Sequence, residues 1–290
     1  MVRARSLWVL LPAVAVIDIV LQAHLASSHP GEGDIEAAAS LVRSGYTEGD
    51  LVVVAPKWLA EARRALGGAV LPLVDQARPD EAVYRRLWEV SARGETSPES
   101  SGHSPELEKR FGTVAVRRYL LQPSAVVDFD FVTSIDTAVV RSVDGHDRRL
   151  YRRRGRRWVA PGARNDVWVG TETISDLDFL PRRCVWANTL PRPRRLRVEY
   201  RGIRRGRTIE GHTATDYVSG RHCASEPVRF TVFVDNRQVL AVSHHDCDGW
   251  RSFRVEVPEG SDEAVVAFEI STDDPAEHDF CFQAQMRSPP

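Results

Sequence analysis

From Gln122 onward the chain is written in period two. Apolar and polar residues alternate through Val126–Val132, Thr137–Val143, Val167–Thr173, Leu196–Tyr200, Val228–Val234, Arg237–Ser243, Phe253–Val257, Ala264–Ile270 and Phe280–Met286, with turn residues between them. Alternation puts apolar side chains on one face of a strand and polar ones on the other. No segment in this half has a helical period, so it can cover its apolar faces only by stacking sheet on sheet. The expectation is a β-sandwich of the jelly-roll kind over 122–290.

The earlier part follows a different rule. Asp34 can cap a helix through Ser44, with Ile35, Ala38, Ala39, Leu41 and Val42 along one side. Leu51–Ala55 (LVVVA) is a continuous apolar run, as in a strand buried on both faces. Trp58–Leu66 reads as a second helix closed by Gly67-Gly68. Val70–Val74 reads as a short strand, and Pro79–Arg93 as a third helix with Ala82, Tyr84, Leu87, Trp88 and Val90 as its apolar set. Gly94–Pro105 is a flexible loop. This β/α order predicts a small three-layer α/β domain over 29–121. The whole is therefore expected to be α+β, with two domains behind an N-terminal segment of residues 1–28.

That segment looks like an export signal or an anchor. Arg3 and Arg5 precede an apolar stretch that Asp18 interrupts, and residues 7–26 are long enough to span a bilayer. A carboxylate at mid-span costs about 2.5–3.5 kcal/mol. Cleavage positions around Ala23 to Ser28 are poor, because His24 or Leu25 falls where a small residue is wanted. An uncleaved anchor is favoured over a cleaved signal, and either places the rest of the chain in the cell envelope, outside the cytoplasm.

Cysteine usage agrees with that compartment. Cys184, Cys223, Cys247 and Cys281 form an even set in the C-terminal part, the pattern of two disulfides. Val228–Val234 and Arg237–Ser243 flank Asp235-Asn236, a two-residue hairpin turn. In that register Cys223 and Cys247 come to face each other just beyond the strand ends. Cys184 and Cys281 would then join the first and last strands of the domain. A metal site of His222, Cys223, His244, His245 and Cys247 is the alternative, but it lacks the paired C-x2-C spacing, so disulfides are favoured and no metal is expected.

The stretch from Pro227 through Asp235-Asn236, then His244-His-Asp-Cys-Asp-Gly-Trp250, then Glu256-Val-Pro, resembles the galactose-binding-like jelly rolls of carbohydrate-binding modules. The resemblance covers about residues 165–290 and rests on strand patterns rather than chemistry; Asn236 stands where those domains usually have Gly. It implies a sugar-binding sandwich. Separately, Glu36–Trp58 is similar to the first helix and strand of the soluble tail of multi-span lipid-linked sugar transferases. The chain lacks their many membrane helices and acidic loop residues, so transferase activity is not carried over.

The hairpin places His212–Pro227 and His244–Trp250 at one end of the sandwich. His212, Asp216, Tyr217, Arg221, His222, His244, His245, Asp246, Asp248 and Trp250 are thereby candidates to converge around a disulfide. An aromatic with carboxylates and imidazoles suits a sugar, the ring on its apolar face and the polar groups on its hydroxyls. The plainer reading is a solvated, disulfide-pinned loop with Trp250 in the core. Asp128-Phe-Asp130 and Asp176-Leu-Asp178 have the D-x-D form by which sugar transferases hold a metal–diphosphate, yet no glycine-rich β/α turn follows either. There is no G-x-S-x-G, H-E-x-x-H or P-loop, and nothing calls for a cofactor.

Arg148–Arg157 and Arg192–Arg207 are basic runs that could meet anionic lipid or phosphorylated glycan. Of 39 basic residues only Lys57 and Lys109 are lysine, which fits codon bias better than phosphate recognition. A net charge of -1 gives no reason to expect nucleic acid. The leading expectation is a membrane-anchored extracytoplasmic protein whose sandwich binds a glycan or another envelope component. Its rivals are a glycan-active enzyme or accessory subunit of a sugar-transfer system, and a structural interaction module.

Overall fold

A computed structural model of the protein describes residues 14–19, 29–47, 49–57, 59–67, 82–145, 147–162, 168–175, 181–190, 192–216, 226–273 and 279–290. The chain divides into two compact units, one of residues 1–71 with 84–122 and one of residues 72–83 with 123–290. Most of the expected export segment, residues 1–13 and 20–28, lies outside the described residues. Residues 14–19 are helical, with Val14, Val16, Ile17 and Ile19 exposed. Among the described residues no helix is long and apolar enough to cross a membrane.

In the first unit, α1 (Glu32–Gly45) and α2 (Ala60–Leu66) accompany a sheet of four strands, β1 (Leu51–Ala55), β2 (Arg86–Ala92), β3 (Leu107–Phe111) and β4 (Val114–Leu120). The sheet order is β1-β2-β4-β3, with β1 and β2 parallel and the other pairs antiparallel. Helix α1 starts two residues before Asp34, which sits in its first turn, where a carboxylate favours the helix dipole. Ile35, Ala38, Ala39 and Val42 pack with Ala62 and Leu66 of α2 on Val52, Val54, Trp88, Val90 and Val116 of the sheet. Leu51, Val53, Leu87 and Tyr119 form a smaller cluster on the opposite face.

Two expectations are corrected here. The segment read as a third helix, Pro79–Arg93, is strand β2 over Arg86–Ala92; residues 79–81, like the Val70–Val74 strand, lie outside the described residues. Leu87 and Trp88 satisfy a helical spacing, but the segment pairs with β1 and β4 along both edges and packs against hydrophobic clusters on both faces, as an interior strand does. Among the described residues both helices lie on one face of the sheet, so the three expected layers become two.

The second unit is a β-sandwich. One sheet runs β15 (Arg237–His244), β14 (Val228–Val234), β17 (Glu263–Thr272), β12 (Arg195–Arg204), β6 (Val139–Asp144), β7 (Asp147–Leu150). The other runs β16 (Arg251–Glu256), β13 (Thr208–Thr215), β18 (Asp279–Ser288), β11 (Pro181–Asn188), β10 (Trp168–Ser175), β9 (Arg157–Val159), β8 (Arg152–Arg154), with β5 (Val126–Asp130) also paired to β18. Phe230, Phe268, Tyr200 and Val198 of the first sheet meet Phe280, Phe282, Met286 and Val185 of the second in one core. The Phe268 and Phe282 rings lie 4.6 Å apart between centroids. Between β7 and β8 the buried Tyr151 marks where the chain leaves one sheet for the other.

Each expected alternating run coincides with a strand over most of its described length. Strands β11 and β13 escaped the pattern because their outer faces carry cysteine, tryptophan and histidine in place of a clean polar series, and the inner face of β13 carries Gly211 and threonines. Gly211 is required where β13 meets β18, since a Cβ there would lie 1.9 Å from the Gln283 carbonyl oxygen. The hairpin turn has positive φ at both Asp235 (49°) and Asn236 (63°), the I′ geometry that suits right-twisted strands. A bulge beyond Val232 shifts its register by one residue before it reaches Val228 opposite His244.

Candidate functional site

Cys184 and Cys281 are disulfide-bonded, with Cα atoms 5.8 Å apart. Cys184 lies on β11, the neighbour of β18, so the bridge ties adjacent strands of one sheet rather than the first strand to the last as expected. Cys247 is also in a disulfide, while Cys223, its expected partner, lies outside the described residues. The Cys184–Cys281 bridge faces away from the sandwich core and forms a small cluster with Ile174 and Ala214, against which Trp186 and Trp250 pack. Trp250 is half-buried, and the Arg182 guanidinium stacks 4.8 Å from its ring centre. The ring follows a 3-10 turn, Asp246–Asp248, in which Asp248 accepts from the His245 backbone N–H and pairs with Arg251 at 2.9 Å.

Two of the candidate histidines, His212 and His244, are on opposite faces of the sheet. Period two sends Ile209, Thr213 and Thr215 of β13 toward the core and Glu210 and His212 away from it. Thr213 Oγ1 shares a hydrogen bond of 3.1 Å with His244 Nδ1, which puts His244 inside the sandwich, edge-on to Phe280. Thr215 donates to the Asp246 carbonyl, and Asp246 is itself buried. Asp216 donates its backbone N–H to Asp279, while Tyr217, Arg221 and His222 lie outside the described residues. His212 instead lines a depression of about 310 Å³ on the outer face, with Glu210, Ser252, Arg254 and Arg287. Glu210 there receives Arg287 at 3.0 Å and Arg254 at 3.3 Å.

Burial pushes the His244 pKa down from 6.5 to about 4, the nearby Asp248 and Asp246 offsetting only part of that cost. Its Nε2 is buried without a hydrogen-bond partner, so a proton there would be poorly solvated. The sign follows: between pH 6.5 and about 4 the unfolded chain binds a proton that the folded one refuses. Stability of this unit should fall by about 2–3 kcal/mol as pH drops through that window and then level off. Urea midpoints against pH for the protein and for His244→Gln test this; equal slopes would remove His244 from the account.

Among residues that sequence reasoning missed, Arg182, Glu210 and Arg287 stand out. Arg182 and Glu210 lie on strands outside the expected alternating runs and Arg287 just past the end of one, and only pairing shows that they share one face. The D-x-D pair is structural on its Asp130 side: Asp130 caps the following turn through the Val132 and Thr133 N–H groups and accepts from Gln285. Asp128 is buried, 4.0 Å from Arg204. Asp176 and Asp178 lie outside the described residues. Most arginines of the Arg192–Arg207 run are exposed, but two are held inside: Arg197 bonds Glu199, Glu269 and Asn236, and Arg205 bonds Asp235 and the Pro258 carbonyl.

Fold and site define a two-sheet antiparallel β-sandwich with a disulfide-backed tryptophan at its surface. No known family's sequence profile matches the chain, and no curated protein matches it in sequence. Solved structures similar to it include a carbohydrate-binding module with GlcNAc and adjoining domains of Clostridium perfringens ZmpB (10% identity, TM-score 0.36, 61% of this chain and 35% of that one). Others are the mannan-recognising module TmCBM27 (9%, TM-score 0.34, 57% and 99%) and promiscuous modules of the β-sandwich superfamily (12%, TM-score 0.34, 61% and 68%). The chain spans only 35% of that ZmpB structure, and 26% and 20% of two others from the same protein. The similarity of Glu36–Trp58 to transferase tails finds no support among them.

Proposed function

We propose that this chain is an exported protein whose β-sandwich binds a glycan on the surface around Trp250. The setting of Trp250 carries the reading: a half-buried ring seated on the Cys184–Cys281 cluster, stacked by Arg182, beside the Asp248–Arg251 pair. A ring immobilised in this way has little entropy left to lose when a sugar stacks on it, and the polar neighbours can take its hydroxyls. Asp216, Tyr217, Arg221, Asp248 and Trp250 make up the proposed surface; His244 and Asp246 support it from beneath, and His212 belongs to the neighbouring depression. A structural disulfide fits a compartment outside the cytoplasm. The proposal includes attachment to the membrane through residues 7–26, a small domain over 29–121, the sandwich over 122–290, and pairing of Cys223 with Cys247.

A glycan-array screen of the protein, alone and with Trp250→Ala, tests it. A saturable hit is expected that the variant loses while its far-UV circular dichroism stays native and its melting temperature falls only modestly, as removal of a half-buried ring requires. Binding untouched by Trp250→Ala would sink the platform. Peptide mapping under non-reducing conditions is expected to recover a Cys223–Cys247 peptide pair, and free thiols at both would disprove the pairing.

A further inference from the structure

A second recess lies elsewhere on the sandwich, and its cause is visible in the ladder. β10 pairs with β11 as far as Ser175, but its pairing with β9 stops at Gly170 opposite Arg157. Beyond that point β10 has a described partner on one side only. A groove of about 440 Å³ opens there, lined by Thr133, Asp136, Arg156, Thr171, Glu172, Thr173 and Arg183.

Its charges do not balance. Asp136 pairs with Arg153 at 2.8 Å, and Glu172 lies 3.8 Å from Arg157, so both carboxylates already have a cation. Arg156 and Arg183 are exposed and have no carboxylate partner among the described residues. Arg148 on β7 and Arg152 on β8 are likewise exposed but do not line the groove. Exposed arginines on the edge strands β7 and β8 have a structural use, because charge on an edge blocks pairing with another chain. That explanation does not reach Arg156, which lies in the turn before β9, or Arg183, on the interior strand β11.

We infer that this groove binds an acidic saccharide, with Arg156 and Arg183 taking its anionic group and the threonine hydroxyls and carboxylates taking its hydroxyls. Guanidinium is suited to a planar carboxylate, and a recess lined by hydroxyls matches a polyhydroxylated ligand better than a flat lipid surface does. The groove shares no lining residue with the Trp250 surface, so its failure is distinguishable from failure of the reading above.

Isothermal titration of the full chain with tetragalacturonate, tetramannuronate and neutral galactotetraose tests the inference, alongside sedimentation with phosphatidylglycerol-rich vesicles. At least one uronate should bind and the neutral oligomer should not. Arg156→Gln with Arg183→Gln should weaken uronate binding by about tenfold or more. Arg148→Gln with Arg152→Gln removes the same charge outside the groove and should change it by less than about twofold. Trp250→Ala should leave uronate binding intact. No uronate binding, equal loss in both arginine pairs, or vesicle binding without uronate binding would each overturn the assignment.

Discussion

Replacing Cys184 and Cys281 by alanine is expected to lower the stability of the β-sandwich by about 4–5 kcal/mol, the upper part of the range for native disulfides. The bridge closes a loop with a sequence separation of 97 residues, so in the chain-entropy account it restricts the unfolded ensemble strongly. The folded state loses something too, because the bridge is the floor under Trp250 and Trp186. Urea unfolding followed by tryptophan fluorescence measures the difference. A loss below about 1 kcal/mol would mean that the unfolded chain is already compact where β11 meets β18.

The second large effect belongs to the other unit. Glu89 of β2 is completely buried on the face opposite the helices. It accepts from Arg117 at 2.8 Å, from the Ser97 N–H at 2.7 Å and from the Ser100 hydroxyl at 2.6 Å. Removing it takes the main acceptor from a largely buried guanidinium, which keeps Ser91 Oγ at 3.1 Å. It also leaves the Ser97 N–H without its acceptor, while the Ser100 hydroxyl can still donate to the Ser97 carbonyl. Among the described residues Arg117 then keeps Glu108 as its charge partner, at 3.6 Å. Glu89→Ala should therefore cost about 3–5 kcal/mol, and Glu89→Gln, which keeps the acceptor oxygen, clearly less. Thermal melts read this directly, and an alanine variant within about 0.5 kcal/mol of the parent would show that water replaces the carboxylate.

Both effects depend on residues whose roles were unequally legible. The even cysteine count announced disulfides, but where Cys184 sits in the sheet depends on β11, whose Arg182, Arg183 and Trp186 hide any alternation. Glu89 stood inside what read as a helix. Leu87, Trp88 and Val90 fit either period over so short a run, and the choice went to β2 because β1 and β4 offered ladders on both sides. At the candidate site, proximity in sequence to the hairpin ends was readable for His212 and His244. Their separation was not, because it turns on which face of β13 looks toward the core.

Local pattern determined what depends on neighbours in the chain: the β character of residues beyond 122, the turn at Asp235-Asn236 and the fully buried strand Leu51–Ala55. Period two and positive φ are properties of a few consecutive residues, so they can be read from them. Only the tertiary structure decided which strands adjoin, that His244 is enclosed while His212 faces outward, and that β10 outruns β9 to leave a groove. Pairing partners and the packed face are set by contacts between segments far apart in sequence, where many registers satisfy the same alternation and burial of the whole core selects one.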